Sequence, residues 1–155
     1  MKKKIAILGS TGSIGKSTID ILRKDKKNFD VVLLTTNNNY REILKQAKEF
    51  KARNIIINNK KHYLSLKKKL RNSKISIFNN FQSFNNKFKN KIDFSMSAIS
   101  GLEGLKPTLD LIKFSKTIAI ANKESIICAW NLIQQRLNKY KTKDRKSTRL
   151  NSSHT

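Results

Sequence analysis

Three glycines stand at intervals of three residues near the start of the chain, in the segment GSTGSIG at residues 9–15. They follow the apolar run IAIL and precede a segment whose apolar residues recur at helical spacing. A tight turn between a buried strand and a helix is where parallel α/β sheets bind a pyrophosphate. We predict that Gly9 lets the chain leave the strand, Gly12 lets the backbone approach the phosphates, and Gly15 lets the helix pack on the strand.

The N-terminus of the helix that follows this turn is a second feature expected to bind phosphate. Its first N–H groups have no partner within the helix and carry a partial positive charge, and the Ser and Thr residues between the glycines add hydroxyl donors. The spacing is G-x-x-G-x-x-G instead of G-x-G-x-x-G, and the chain contains no G-x-x-x-x-G-K-[ST] motif. The turn therefore favours a dinucleotide over a mononucleotide.

No acidic residue follows the second apolar run of the chain. The run VVLL at residues 31–34 continues into TTNNN at residues 35–39, where NAD sites usually carry Asp or Glu for the ribose 2′-hydroxyl. A carboxylate there would repel the 2′-phosphate of NADP, so its absence favours NADP. Basic side chains near Arg41 could assist, although the sequence alone does not place them.

Apolar runs of strand length alternate with helical stripes over residues 1–143, and their connections are too long for hairpins. The pattern predicts an α/β fold: a doubly wound, Rossmann-like parallel sheet with helices on both faces. The predicted strands are residues 4–8, 31–34, 54–57, 75–78, 92–99 and 117–121. The predicted helices are residues 13–23, 40–50, 62–70, 81–91, 104–114 and 125–137.

The last dozen residues, 144–155, are predicted to be a tail foreign to this domain. The stretch DRKSTRLNSSH lacks apolar periodicity and matches, in order, the translation of a common sequencing-library adapter. We therefore expect one domain at residues 1–143 and a natural chain that continues beyond Lys143.

The formal net charge of +24 has two interpretations. One is nucleic-acid binding through phosphate contacts. The other is compositional drift in an AT-rich genome, which also explains why 27 lysines come with 17 asparagines and 19 isoleucines. The chain has no zinc-finger spacing, no recognition-helix motif and no aromatic RNA-binding signature, so we expect no nucleic-acid partner. A basic nucleic-acid-binding protein stays an alternative.

Compartment and redox state are constrained by a few further features. The N-terminal apolar run is too short for a secretory signal, and no run approaches the ~20 residues of a membrane span. The one cysteine, Cys128, is predicted to be a small core residue. We expect a cytoplasmic bacterial protein without a membrane partner.

Two segments about a hundred residues apart resemble the 1-deoxy-D-xylulose 5-phosphate reductoisomerase family: KIAILGSTGSIGKSTIDIL at residues 4–22 and IAIANKESIICAW at residues 118–130. The resemblance covers residues 1–140, which correspond to the family's N-terminal NADPH-binding domain. It implies an enzyme of non-mevalonate isoprenoid biosynthesis that isomerises 1-deoxy-D-xylulose 5-phosphate and reduces it to 2-C-methyl-D-erythritol 4-phosphate. It also implies a divalent metal (Mg, Mn or Co) and a homodimer for the full-length enzyme.

The resemblance also assigns residues. Four match the family's cofactor turn: Thr11, Gly12, Ser13 and Ile14. Asn39 matches an asparagine near the adenosine end of the cofactor, Asn122 and Glu124 match cofactor contacts, and Lys123 matches a substrate contact. An ordinary solvated Lys–Glu pair at a helix start is the simpler interpretation of Lys123 and Glu124 without the family match.

Two departures from the family pattern bear on function. Asn37 and Asn38 replace a common Gly-Lys pair, which weakens the expected grip on the 2′-phosphate. The D-S-E motif that begins the family's metal site is missing, so we assign no catalytic residue and no metal ligand and expect an inactive fragment. A short-chain-type NADP-binding oxidoreductase stays an alternative, although its Tyr-x-x-x-Lys pair is matched only in bare spacing, by Tyr63 and Lys67.

Overall fold

A computed structural model gives the fold of residues 1–121 and 123–145, without the side chains of residues 123–126. Strands and helices alternate along the described residues. The strands are β1 (Lys3–Leu8), β2 (Phe29–Thr36), β3 (Asn54–Ile57), β4 (Ser76–Phe78), β5 (Ile92–Ser97), β6 (Ser115–Ile120) and β7 (Lys143–Asp144). The helices are α1 (Ser13–Arg23), α2 (Tyr40–Phe50), α3 (Lys60–Lys69), α4 (Phe81–Lys87), α5 (Leu105–Ile112) and α6 (Lys123–Tyr140).

All seven strands form one sheet in the order β4-β3-β2-β1-β5-β6-β7, and each pairing is parallel. The predicted doubly wound α/β fold is thereby confirmed. The chain builds the sheet outward from β1 to β4 and then returns to place β5 on the other side of β1. The reversal occurs between β1 and β5, the position at which open α/β sheets bind ligands beyond the carboxyl ends of their strands.

Helices cover the two faces of the sheet in separate groups. One apolar cluster joins β1, β2 and β3 to α1, α2 and α3, and includes Ile7, Ile19 and Ile43. The opposite face packs on α4 and α5 around the fully buried Phe84. A third cluster joins α5, β6 and α6. Near-continuous apolar strands follow from this arrangement, because a parallel sheet buries both of its faces.

One half of the sheet keeps an open face within the described residues. A hollow of about 930 Å³ lies over β1, β5 and β6, beside the exposed Ile21 of α1, and its walls include Phe94 and Met96. Thr11, Gly12, Ser13, Ile14 and Asn39, the predicted site residues whose side chains the structure describes, do not line this hollow. Helices α1, α2 and α3 belong to the cluster on the β1–β2–β3 half of the sheet, and the β5–β6 half of the same face has no helix of the described chain over it.

Strand β2 contains an irregularity that its sequence does not reveal. Ile5 of β1 pairs with Val31, while Ala6 pairs with Leu33, so Val32 is an extra residue in the ladder. Val31 and Leu34 consequently pack in the same cluster, and Val32 and Leu33 pack on the other face. A bulge of this kind shifts the alternation of side chains by one position.

Several helix and strand boundaries in the structure differ from the predicted ones. Helices α1 and α2 and strand β3 have their predicted bounds, whereas α4 ends at Lys87 and β2 is longer than its apolar run. The prediction for Cys128 is wrong, because the residue is exposed. The helical geometry of α6 is interrupted at the next residue, Ala129, and the residues that pack in the core, Ile133 and Leu137, follow this interruption. Strand β7 includes Asp144, one residue beyond the predicted domain end, and the foreign origin of the tail stays a prediction.

None of the helices in the described part of the chain combines the length and the apolar character that crossing a bilayer requires.

Glu49 links the C-terminal ends of α1 and α2 and gives a pH-dependent contribution to stability. Its carboxylate accepts a hydrogen bond from Arg23 at 2.6 Å and lies 3.1 Å from the Lys26 ammonium. The Arg23 hydrogen bond lowers the pKa of Glu49 from 4.5 to about 2. Since the folded-state pKa is the lower one, the pair stabilises the fold above pH 4.5, and the contribution is lost as the pH falls toward 2.

We expect Glu49→Gln to lower the free energy of unfolding by about 1 kcal/mol at neutral pH, a figure kept small because Arg23 is half exposed. The difference from the unsubstituted chain shrinks as the pH falls below 4.5. Urea unfolding at neutral pH and near pH 3 measures both values. A difference that stays constant between the two conditions would contradict the assignment.

Candidate functional site

A cleft of about 550 Å³ lies at the carboxyl ends of the strands, beside the reversal point of the sheet. Three groups of residues line it. The β1–α1 turn supplies Gly9, Thr11 and Gly12; the end of β2 supplies residues 35–39; and the segment after β5 supplies Ala98, Ile99 and Ser100. Asn58, Phe81, Glu103 and Pro107 complete the wall. The larger hollow described above is mainly apolar and is not lined by residues 9–15 of the turn, so this cleft is the candidate site.

The β1–α1 turn has the conformation that its glycines predict. Gly9 has a φ of 74°, which side chains disfavour, and an added Cβ would lie 3.0 Å from the Ala98 carbonyl oxygen. A Cβ on Gly15 would lie 2.6 Å from the Ser10 Cα, so only glycine allows α1 to pack this closely on the turn. The predicted roles of Gly9 and Gly15 are therefore confirmed by the geometry.

Neighbouring elements hold the turn in place. The Gly9 N–H donates to Thr35 Oγ1 at 2.9 Å, and the Ser10 N–H donates to the Thr35 carbonyl at 3.0 Å. The hydroxyls of Thr11 and Thr36 hydrogen-bond at 2.7 Å. From α2, the buried Gln46 donates its Nε2 to the Ser10 carbonyl at 3.0 Å. The turn is thus fixed before any ligand arrives.

The N-terminus of α1 presents unpartnered donors next to this turn. Gly12 is the N-cap residue and supplies no side-chain acceptor. Within the described residues, the N–H groups of Thr11, Ser13 and Ile14 have no protein acceptor. Gly12 also leaves open space, because an added Cβ would meet nothing nearer than the Gly9 carbonyl oxygen at 3.7 Å. Free amides beside an open backbone position suit a phosphate group.

The loop after β2 is tied to the loop after β3 by asparagine pairs. Asn58 Nδ2 donates to Asn37 Oδ1 at 2.6 Å, and Asn59 Nδ2 donates to Asn38 Oδ1 at 3.0 Å. Asn39 caps α2, with its Oδ1 accepting from the Glu42 N–H at 3.2 Å. These residues rigidify one end of the cleft while leaving it free of carboxylates at positions 37–41.

The structure brings together part of the predicted site. Thr11, Gly12 and Asn39 line the cleft, and Ser13 and Ile14 form the first turn of α1 beside it. Asn122 lies outside the described residues, as do the side chains of Lys123 and Glu124, so the roles assigned to these three stay predictions.

The sequence patterns did not predict the residues that contact the turn from β2 and α2. Thr35, Thr36 and Gln46 carry no local motif, and their role appears only when β2 and α2 pack beside β1. The available signal was topological, since the carboxyl ends of parallel strands meet at one edge of a sheet. Tyr63 and Lys67 do hydrogen-bond at 3.1 Å, but neither lines the cleft, which removes the support for a short-chain-type catalytic pair there.

The part of the chain that the structure describes contains no group of three or more His, Cys, Asp or Glu side chains arranged to hold a metal ion. The described residues therefore do not fit the divalent metal that the resemblance implies for the full-length enzyme. No step of the chemistry is assigned to a metal on these residues.

Comparisons with known proteins agree with this geometry. A family model described as 1-deoxy-D-xylulose 5-phosphate reductoisomerase matches residues 5–130. The chain is similar to the reductoisomerase of Pelagibacter ubique (strain HTCC1062), with 59% identity over 142 residues, which are 90% of this chain and 37% of that protein.

Solved structures give the same match. The Zymomonas mobilis reductoisomerase in complex with NADPH aligns with a TM-score of 0.85 and 32% identity, over 94% of this chain and 39% of that chain. A reductoisomerase in complex with NADPH, fosmidomycin and magnesium aligns with a TM-score of 0.82 and 28% identity, over 93% and 36% of the two chains. The chain spans little more than a third of the length of these relatives.

Proposed function

The chain belongs to the 1-deoxy-D-xylulose 5-phosphate reductoisomerase family, and we propose that it is the part of that enzyme that binds NADPH. The observation that supports this most directly is the set of unpartnered amides around Gly12 at the reversal point of the sheet. A structural neighbour at 32% identity was solved in complex with NADPH, which supports NADPH as the dinucleotide of the proposal.

Different residues of the cleft would bind different parts of the cofactor. The Thr11, Ser13 and Ile14 amides donate to the pyrophosphate, and the dipole of α1 favours its negative charge. The Thr11 hydroxyl is held by a hydrogen bond with Thr36, and Asn39, which lines the cleft after β2, would contact the adenosine end of the cofactor. The bound cofactor supplies a hydride for the reduction of a carbonyl group. The protein's task in this part of the chain is to hold and orient the dinucleotide.

For the full-length enzyme, we propose the activity of the family: isomerisation of 1-deoxy-D-xylulose 5-phosphate and NADPH-dependent reduction to 2-C-methyl-D-erythritol 4-phosphate. Lys123 would contact the phosphorylated ketose, and Asn122 and Glu124 would contact the cofactor. A divalent metal would bind through residues beyond the described ones. We further propose a homodimer in the bacterial cytoplasm, and no turnover by the 155-residue chain alone.

Titration of NADPH into the 155-residue chain tests the proposed function. We expect a saturable rise in NADPH fluorescence in the folded chain and none in the chain unfolded in urea, because the cleft exists only in the fold. The same sample, supplied with substrate and Mg²⁺, is expected to consume no NADPH. Binding of duplex DNA that weakens with salt, without any NADPH binding, would support the nucleic-acid alternative instead.

A further inference from the structure

The 2′-phosphate of NADPH needs a cation that residues 37–39 do not supply. In a sheet of this type the adenosine ribose lies beyond the end of the second strand, so the 2′-phosphate faces the loop after β2. That loop consists of three asparagines, two of which pair with Asn58 and Asn59. A neutral loop neither repels nor strongly attracts a phosphate dianion. The first candidate cation is therefore sought among the residues that follow the loop.

Arg41 does not itself line the cleft, but it is the first cation after this loop and follows Asn39, which does line it, by two residues. An aromatic stack supports its side chain. Its guanidinium lies 5.7 Å from the centre of the Tyr40 ring, and its Nε donates to Tyr40 Oη at 3.1 Å. The Tyr40 ring is itself stacked on His62 of α3, with ring centres 4.4 Å apart and an angle of 25° between them. The pKa of Tyr40 is lowered, chiefly by the hydrogen bond from Arg41.

The Tyr40 contact uses only one of the nitrogens of Arg41. Within the described residues, neither Nη1 nor Nη2 has a hydrogen-bond partner or an ion-pair partner. By contrast, Arg23 pairs with Asp20 and Glu49, and Arg53 pairs with Asp30. A planar guanidinium with both Nη atoms free can donate two parallel hydrogen bonds to two oxygens of one phosphate group.

Two lysines from α3 add positive charge to the same patch. Lys69 Nζ lies 5.6 Å from the Tyr40 ring centre, and both Lys61 and Lys69 favour the charged form of the phenol and so lower its pKa. No carboxylate of the described chain pairs with either lysine or with Arg41. The nearest acid in sequence, Glu42, has an oxygen 3.5 Å from Gln46 Nε2. The patch is therefore a site of uncompensated positive charge.

We propose that Arg41, supported on the Tyr40–His62 stack, binds the 2′-phosphate and sets the preference of this chain for NADPH over NADH. In this role it replaces the lysine that family members often carry where Asn38 stands here. The proposal rests on the proposed function, because it requires the cofactor to occupy the cleft at the carboxyl ends of the strands. Lys61 and Lys69 strengthen the local field without contacting the phosphate.

Parallel titrations with NADPH and NADH test the proposal. We expect Arg41→Gln to weaken NADPH binding by about 10- to 100-fold, the range for a lost charge-assisted phosphate contact, and to leave NADH affinity within about twofold. Arg53→Gln is the matched control, because it removes the same charge at the amino end of β3, the edge of the sheet opposite the cleft, and should change neither affinity. Tyr40→Leu should weaken NADPH binding less than Arg41→Gln does, since it removes only the support.

The outcomes separate this proposal from the proposed function. If the Arg41→Gln chain has the same ratio of NADPH affinity to NADH affinity as the unsubstituted chain, the role of Arg41 is overturned. NADPH binding by the unsubstituted chain would still support the proposed function in that case. An unsubstituted chain that binds neither nucleotide overturns both. Thermal unfolding by circular dichroism confirms that each variant is folded, and 2′,5′-ADP against 5′-ADP provides a second readout limited to the 2′-phosphate.

Discussion

Replacing Gly15 with alanine is expected to lower the free energy of unfolding by about 3 kcal/mol or more, a change large enough to unfold much of a marginally stable domain. The added Cβ would lie 2.6 Å from the Ser10 Cα and 2.7 Å from the Ser10 carbonyl carbon. These are backbone atoms of a turn that Thr35 and Gln46 hold in place, so they have little freedom to move aside. Helix α1 would have to leave the turn, and its contacts through Ile19 would loosen.

Gly12→Ala is the control for this prediction, because it makes the same chemical change three residues earlier with only a 3.7 Å contact to the Gly9 carbonyl oxygen. We expect it to cost about 1 kcal/mol or less, the usual effect of exchanging Gly for Ala at an N-cap. Urea unfolding followed by circular dichroism compares both variants with the unsubstituted chain. Equal stability of the two variants would show that α1 does not depend on close packing at Gly15.

Replacing Gly12 with valine is expected to remove NADPH binding, with an affinity loss of at least about 100-fold. Gly12 lines the cleft, and the space around its missing side chain is open. Its φ of −79° and ψ of −179° are accessible to valine, so the backbone of the turn can keep its shape. The new methyl groups would occupy the space through which a pyrophosphate reaches the Thr11 and Ser13 amides.

Ser17→Val supplies the matched control for Gly12→Val. Ser17 lies on the exposed surface of α1, and its hydroxyl donates to the Ser13 carbonyl, so this change introduces a valine into the same helix away from the cleft. We expect it to bind NADPH as tightly as the unsubstituted chain. A folded Gly12→Val chain that binds NADPH with normal affinity would falsify the proposal that the main-chain amides around Gly12 bind the pyrophosphate. Thermal unfolding establishes whether each variant is folded.

The sequence by itself determined the local elements and the chemistry of the first turn. Helix α1 begins and ends at its predicted residues, although Ile14 and Ile21 of the predicted apolar stripe are exposed and Ile19 is buried instead. Strand β3 has its predicted bounds because three isoleucines form a continuous apolar run. The spacing of Gly9 and Gly15 predicted a strand-to-helix turn, since a positive φ and a close backbone contact both require glycine. These features depend on neighbouring residues, so a local pattern is sufficient to reveal them.

The family assignment also came from the sequence, through two motifs far apart in the chain. The match of the reductoisomerase family model to residues 5–130 confirms that assignment. Apart from Asn37, Asn38, Asn39 and Asn122, the asparagines were interpreted only as composition, and that interpretation was incomplete. Asn39, Asn59 and Asn80 each cap a helix, and Asn58 joins two loops of the cleft.

Only the tertiary structure decided which distant residues meet at the site. Thr35 reaches the Gly9 amide, and Tyr40 stacks on His62, because the strand order places β1, β2 and β3 side by side. The bulge at Val32 and the exposure of Cys128 were likewise invisible to periodicity. Such contacts depend on the order and register of the strands, which arise from packing across the whole sheet and not from the spacing of residues within any one element.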